Sequence, residues 1–259
     1  MYRLFSIGFV RTIFFIFIFS PALAYAQAAP KCDATDKFCL LQEMEELAPQ
    51  IENADWRDQT YREMAKTYAS NGRLENALLI VSKIENNDTR AMAIRGIGMG
   101  AVSAKLSADK YAWLWLALNT EAAKIPHEPS QAIAYTYIAM SQAFAGEDDN
   151  ARKTASGMKN QALRNKAYGE TAEIQAERGD LKNVLITMAA IDSPPYRDKQ
   201  YDILTRIFLN KGHINEAFES ASRIENAYLK AKAIQRILDK GNADPENNEP
   251  KPETVKEEQ

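Results

Sequence analysis

Two histidines among 259 residues leave this chain little with which to move protons or hold a metal. His127 lies in a Pro-His-Glu-Pro linker and His213 directly follows Gly212 at a helix start, so both read as exposed turn residues. Gly-x-Ser-x-Gly, His-Glu-x-x-His and the Gly-x-x-x-x-Gly-Lys phosphate loop are all missing, which removes the local signatures of the common hydrolases, zinc peptidases and nucleotide-binding enzymes. Cysteine is limited to Cys32 and Cys39, with six residues between them, too far for a Cys-x-x-Cys redox pair and without histidines for a metal site. Runs of lysine or arginine are missing too, so a nucleic-acid partner is not expected. Long apolar runs are confined to the N-terminus, and no later stretch approaches the ~20 residues needed to cross a bilayer. Neither a cofactor nor catalysis is expected from what remains.

The N-terminus reads as an export leader over residues 1–26. Arg3 and Arg11 supply the positive region, Thr12 to Phe19 the apolar core, and Ala24-Tyr25-Ala26 a small-x-small cleavage site. The mature chain is then expected in the periplasm or beyond, as a bacterial exported protein. Removing two arginines leaves 30 Lys+Arg (32 less 2) against 35 Asp+Glu, a net charge of −5. In an oxidising compartment Cys32 and Cys39 are expected to form a disulfide; the alternative is two unpaired thiols with Cys39 buried. The last segment, 241–259, is rich in acids and proline, almost devoid of apolar side chains, and expected to be disordered.

Between these ends the chain repeats itself. Ile-Glu-Asn occurs at 51–53, 84–86 and 224–226, and Ile125, Met158 and Ile191 fill the same slot between the last two copies. The steps are 33, 41, 33, 33 and 33 residues, so one unit has been copied and stacked, with eight residues added once. Counting from Arg57, Arg90, Gln131, Arg164, Arg197 and Lys230, the apolar positions at offsets 4, 7, 8 and 11 trace one stripe of an amphipathic helix. Gly72, Gly146, Gly179 and Gly212 at offset 15 end that helix, and Ala77, Ala151, Val184 and Ala217 five residues on begin the apolar face of a second. The pattern predicts an all-α solenoid of stacked antiparallel helix pairs over 55–240. It comprises about five repeats, an N-terminal segment and capping helix over 27–54, and a half-repeat, Tyr228–Lys240, at the far end. Gly96, Gly98 and Gly100 look like part of a dinucleotide fingerprint, but they follow no strand and lie within the helical stripe. Close helix packing accounts for them.

Large at offset 4, large then small at 7 and 8, aromatic at 11, glycine at 15 and alanine at 20: these columns resemble the tetratricopeptide repeat, over about residues 55 to 241. The period is 33 where that family has 34, and isoleucine or methionine replaces its alanine at offset 27. The resemblance implies a groove lined by the first helix of each pair, with offsets 2, 5, 9 and 12 facing it, and a protein or peptide as ligand. Arg62, Lys66, Met140 and Arg206 are the groove residues this selects; an acidic peptide docking on Arg62 and Lys66 is one reading, and charges that merely keep the groove soluble are the other.

The second repeat carries the eight added residues near Lys105 to Trp113, and the sequence predicts that both of its helices are lengthened. Trp113 and Trp115 fall there, either as an aromatic recognition ridge or as filling for the larger hairpin. The functional expectation is a scaffold or adaptor for another protein or peptide of the cell envelope, without catalysis. Two alternatives stand beside it: a hydrolase whose acids converge on the groove, and a structural oligomer built through the end repeats.

Overall fold

Residues 32–241 are described by a computed structural model; the expected leader and the tail beyond 241 lie outside the described residues. Every regular element among them is helical. The order is α1 (Lys37–Leu47), a short 3-10 turn (Ala48–Gln50), α2 (Ala54–Ser70), α3 (Leu74–Val81), α4 (Asn87–Ser103), α5 (Ala108–Ala123), α6 (Glu128–Phe144), α7 (Asp148–Ser156), α8 (Gln161–Glu177), α9 (Leu181–Ala189), α10 (Pro194–Asn210), α11 (Ile214–Ser222) and α12 (Ala227–Gly241). The even-numbered helices α2 to α12 pack each against the next and form one layer, while α3, α7, α9 and α11 lean chiefly on the helix before them and α5 leans more on α6. This is the expected helical-repeat fold. The helices α2, α4, α6, α8 and α10 all have 17 residues.

The repeated columns have separate structural duties. The slot is buried at Ile84, Ile125, Met158, Ile191 and Ile224, where each large side chain contributes on the order of 1.5–3 kcal/mol, while Ile51 in the first copy is half-buried. The carbonyl of that same residue would be an orphan at the end of its helix pair. The counting column satisfies it: Arg90 Nε donates to Ile84 O at 3.0 Å, Gln131 Nε2 to Ile125 O at 3.0 Å, Arg164 Nη1 to Met158 O at 3.0 Å and Arg197 Nη1 to Ile191 O at 3.2 Å. The asparagine of the triplet opens the following helix. Asn53, Asn86 and Asn226 accept from the backbone N–H of Trp56, Thr89 and Leu229, each at 3.0 Å.

A second link runs forward to the next repeat. Asp58 is buried and its carboxylate accepts from the N–H groups of Glu85 (3.1 Å) and Asn86 (2.7 Å). Asp198, four repeats on, does the same for Glu225 (2.8 Å) and Asn226 (2.9 Å). The middle glutamate of the triplet closes the junction from outside, as Glu85 pairs with Arg57 at 3.3 Å and Glu225 with Arg197 at 2.7 Å. Ile-Glu-Asn is therefore an assembly joint between neighbouring repeats.

Glycine matters in two ways. Gly72, Gly146, Gly179 and Gly212 have φ between 71° and 82°, and the N–H of the residue after each returns to the carbonyl at offset 11 (Arg73 N to Tyr68 O, 2.9 Å). Inside α4, a Cβ on Gly98 would stand 2.8 Å from Ser141 Cβ, and one on Gly100 would stand 3.0 Å from Lys66 O. These glycines let α4 lie close to α2 and α6, as the sequence indicated.

The second repeat departs from expectation. Its first helix, α4, keeps the common length; only α5 is longer, with 16 residues against 9 in α7, α9 and α11. Seven added residues are almost two turns, so the packed face of α5 stays in phase with its counterparts, and the eighth lies in the turn. In that turn Lys105 occupies the glycine position with φ 50°, and Ala101 O accepts from the Ala104 N–H at 3.1 Å and from the Tyr111 hydroxyl at 3.4 Å.

At the N-terminal end, Cys32 and Cys39 form a disulfide with Cα atoms 5.6 Å apart. Asp36 caps α1 by accepting from the N–H of Phe38 and Cys39, Tyr68 donates to Glu45, and Arg73 stacks 4.4 Å over the Phe38 ring. These ties seat α1 over the first repeat as a cap.

Two stability outcomes follow. Lys105→Gly should raise stability by about 0.5–1 kcal/mol in urea denaturation, because only the substituted chain is at ease in the left-handed turn. Asp58→Ala should lower it by about 1–3 kcal/mol, leaving two N–H groups without their acceptor.

Candidate functional site

Successive first helices approach closely where small side chains face each other. At offset 3, Ala93, Ala134 and Ala167 are all buried. In the fifth repeat that position is Gln200, which is 5% exposed and fits because Gly169 stands opposite. A Cβ on Gly169 would lie 2.6 Å from Gln200 Nε2 and 2.9 Å from the Tyr196 hydroxyl. Gln200 Nε2 donates to that hydroxyl at 2.8 Å, while Gln200 Oε1 is buried and has no partner.

Beside this pair, α8 and α10 enclose a cleft of about 900 Å³. Lys166, Glu170 and Glu173 line it from α8, Tyr196, Lys199, Gln200 and Ile203 from α10, and Asn165 and Asp192 lie at its N-terminal end. Lys166, Glu170 and Glu173 follow one another at steps of four and three, so they share one face of α8. Burial raises the Glu173 carboxyl above the usual range and the neighbouring Glu170 charge adds to this, while Arg206 opposes it. Tyr196 is also raised, by burial first and then by Glu170 and Glu173, against the Gln200 hydrogen bond. Asp192 is lowered instead, through hydrogen bonds from Asn165 and Gln161. The cleft thus holds carboxylates of opposite tendency at its two ends.

The residues selected from sequence do not come together. Arg62 pairs with its neighbour Glu63 at 2.8 Å, and the stem of Lys66 lies along the spot where Gly96 leaves room in α4. Met140 is half-buried against Ala139, Ala143, Ala151 and Ile174. Arg206 pairs with Asp202 at 3.4 Å and is the one member of the set whose charge reaches the cleft, at Glu173. The tryptophans separate as well. Two residues apart on a helix they point about 200° apart, so Trp113 is 42% exposed while Trp115 is 3% exposed and stacks on Tyr111 at 5.4 Å. The two therefore do not form one ridge: Trp113 lines a small surface cleft with Leu74 and Asp109, and the buried Trp115 backs a separate one with Leu116, Tyr135 and Gln142. His213 also differs from an exposed turn residue, being half-buried with its ring edge-on to Phe208 at 6.3 Å.

Of the expected groove offsets, 2 and 9 do reach the α8–α10 cleft, through Lys166, Lys199 and Glu173. Offsets 5 and 12 fail there because Gly169, Ala176 and Leu209 are buried between helices. Sequence reasoning missed Glu170, Tyr196, Gln200 and Ile203. The usable signal was Gln200, a long polar side chain in a column where three other repeats carry alanine. No family model, curated protein or solved structure matches this chain.

The raised Glu173 carboxyl gives a pH-dependent outcome. Between its unfolded and folded pKa values the folded chain holds more protons, so this group's contribution to stability falls as pH rises through that interval. Glu173→Gln removes the loss. Urea midpoints of parent and variant should coincide near about pH 4 and separate in the variant's favour toward neutrality.

Proposed function

We propose that this chain is an exported, tetratricopeptide-like scaffold that binds an extended segment of another cell-envelope protein in the cleft between α8 and α10. The observation that carries the reading is the cleft itself: 900 Å³ of mixed polar and apolar lining, placed where the repeat columns are broken and floored by a buried glutamine oxygen without a partner. Buried polar groups are normally satisfied, and one left open beside a cleft is a natural place for a ligand's donor. The leader-like N-terminus, the Cys32–Cys39 disulfide and the lack, among the described residues, of any helix long and apolar enough to cross a membrane support export to an oxidising compartment.

A hydrolytic reading has less behind it. Glu170 and Glu173 stand on one wall, whereas paired acids that cleave a bond between them face each other across it. Asp192 is held at Asn165, eight residues and about 12 Å along α8 from Glu173, farther apart than such pairs are.

Selection of the mature chain against a random heptapeptide display library tests the proposal. Enrichment of a shared motif, displaced from the parent chain by excess free peptide and lost with Ile203→Arg, is the expected result. A library that yields no motif, or one whose binding ignores Ile203→Arg, removes the cleft as a peptide site.

A further inference from the structure

Most charged side chains in the fold are spoken for. Arg57, Arg164 and Arg197 bridge to Glu85, Asp192 and Glu225 of the next junction, and Arg178 holds Asp148 at 2.7 Å. Among the described residues, other acids without an ion pair, such as Glu52, Glu75 and Glu128, stand exposed to water, whereas Glu170 and Glu173 lie one turn apart on the wall of a cleft, Glu173 partly desolvated, and each raises the Tyr196 hydroxyl through its charge. Arg206, the cation whose charge does reach Glu173, is engaged by Asp202. Across the cleft the nearest polar floor is Gln200, whose Nε2 is used by Tyr196 and whose Oε1 is buried and open. This end of the cleft therefore offers acceptors in excess: two carboxylates and an amide oxygen, with no donor assigned to them.

We infer that the Glu170–Glu173–Gln200 end of the α8–α10 cleft is a receptor for the cationic side chain, lysine or arginine, of an extended peptide. The inference rests on the peptide-binding reading above and specifies its chemistry. An ammonium or guanidinium brings several N–H donors and a positive charge, which together match two carboxylates and an unmatched carbonyl oxygen better than any neutral group. A peptide, not a free amine, is the occupant because the lining runs from Gln161 to Glu173, about 18 Å of helix, which is the reach of roughly five extended residues. Leu163 and Ile203 along that path suit apolar neighbours of the cation, and Lys166 and Lys199 suit an acidic residue beside it.

The test uses the mature chain and three probes: a hexapeptide mixture with lysine fixed at one position, the same mixture with norleucine there, and free cadaverine. Binding is read by displacement of a fluorescent peptide at low and high salt. The lysine mixture should bind about tenfold or more tightly than the norleucine mixture at low salt, with the gap narrowing as salt screens the charges. Glu170→Gln with Glu173→Gln should bring lysine binding down to the norleucine level and leave norleucine binding unchanged; circular dichroism checks that this variant stays folded, as removal of two uncompensated charges should allow. Gly169→Ala, which displaces only the ends of Gln200 and Tyr196, should weaken the lysine mixture without unfolding the chain. Equal affinity for lysine and norleucine mixtures overturns the cation assignment while peptide binding stands. Binding of neither overturns both readings, and cadaverine binding as tightly as the lysine mixture overturns the peptide occupant.

Discussion

The contact between one first helix and the next is the constraint on which the molecule depends. A single helix pair has no way to bury both flanks of its first helix, so α2, α4, α6, α8, α10 and α12 must cover one another in series. Close approach requires small residues at recurring offsets, and the alanine columns together with Gly98 and Gly100 meet that requirement. Hydrophobic burial alone would allow neighbouring pairs to slide. At the Asp58 and Asp198 junctions the buried aspartate, triplet backbone and counting-column arginine set where the pair stops, since an N–H or carbonyl moved out of register there would be buried without a partner.

Departures from the repeat then become informative, because each one must be accommodated by its neighbours. The lengthened α5 adds close to two full turns, which keeps its inward face aligned and extends only its outer part; a different number of residues would have rotated Trp115 and Leu118 out of the core. Lys105 in the left-handed turn is the local strain that accompanies this insertion. Gln200 is the second departure. It replaces a small residue at a helix contact, is admitted only by Gly169, and stands beside the largest opening described between first helices.

Charge follows the same division. Where ions pair across repeats they tie the joints and sit on the surface of a stack already held by packing, so each such exposed pair contributes little on its own. In the α8–α10 cleft Glu170 and Glu173 are crowded on one wall and form no ion pair, and burial followed by the Glu170 charge raises Glu173 although Arg206 opposes it. An uncompensated arrangement of this kind in an otherwise consistent repeat is where a ligand's interaction would do most.

The helix pairs, their period and the four left-handed glycine turns were legible in the chain alone. All of these are local or periodic: a stripe, a turn residue or a spacing states them within one unit, and copying makes the statement louder. The sequence could not say that only α5 would lengthen, because a helix boundary depends on which neighbours cover it. Nor could it say that Trp113 and Trp115 would part company, although two steps along a helix reverse direction, since the choice of which one faces inward belongs to packing. The tertiary structure alone brought Glu170 and Glu173 of one repeat to the Tyr196 and Gln200 of the next. That meeting depends on the separation of two helices roughly 30 residues apart in the chain, and the separation is fixed by what fits between them.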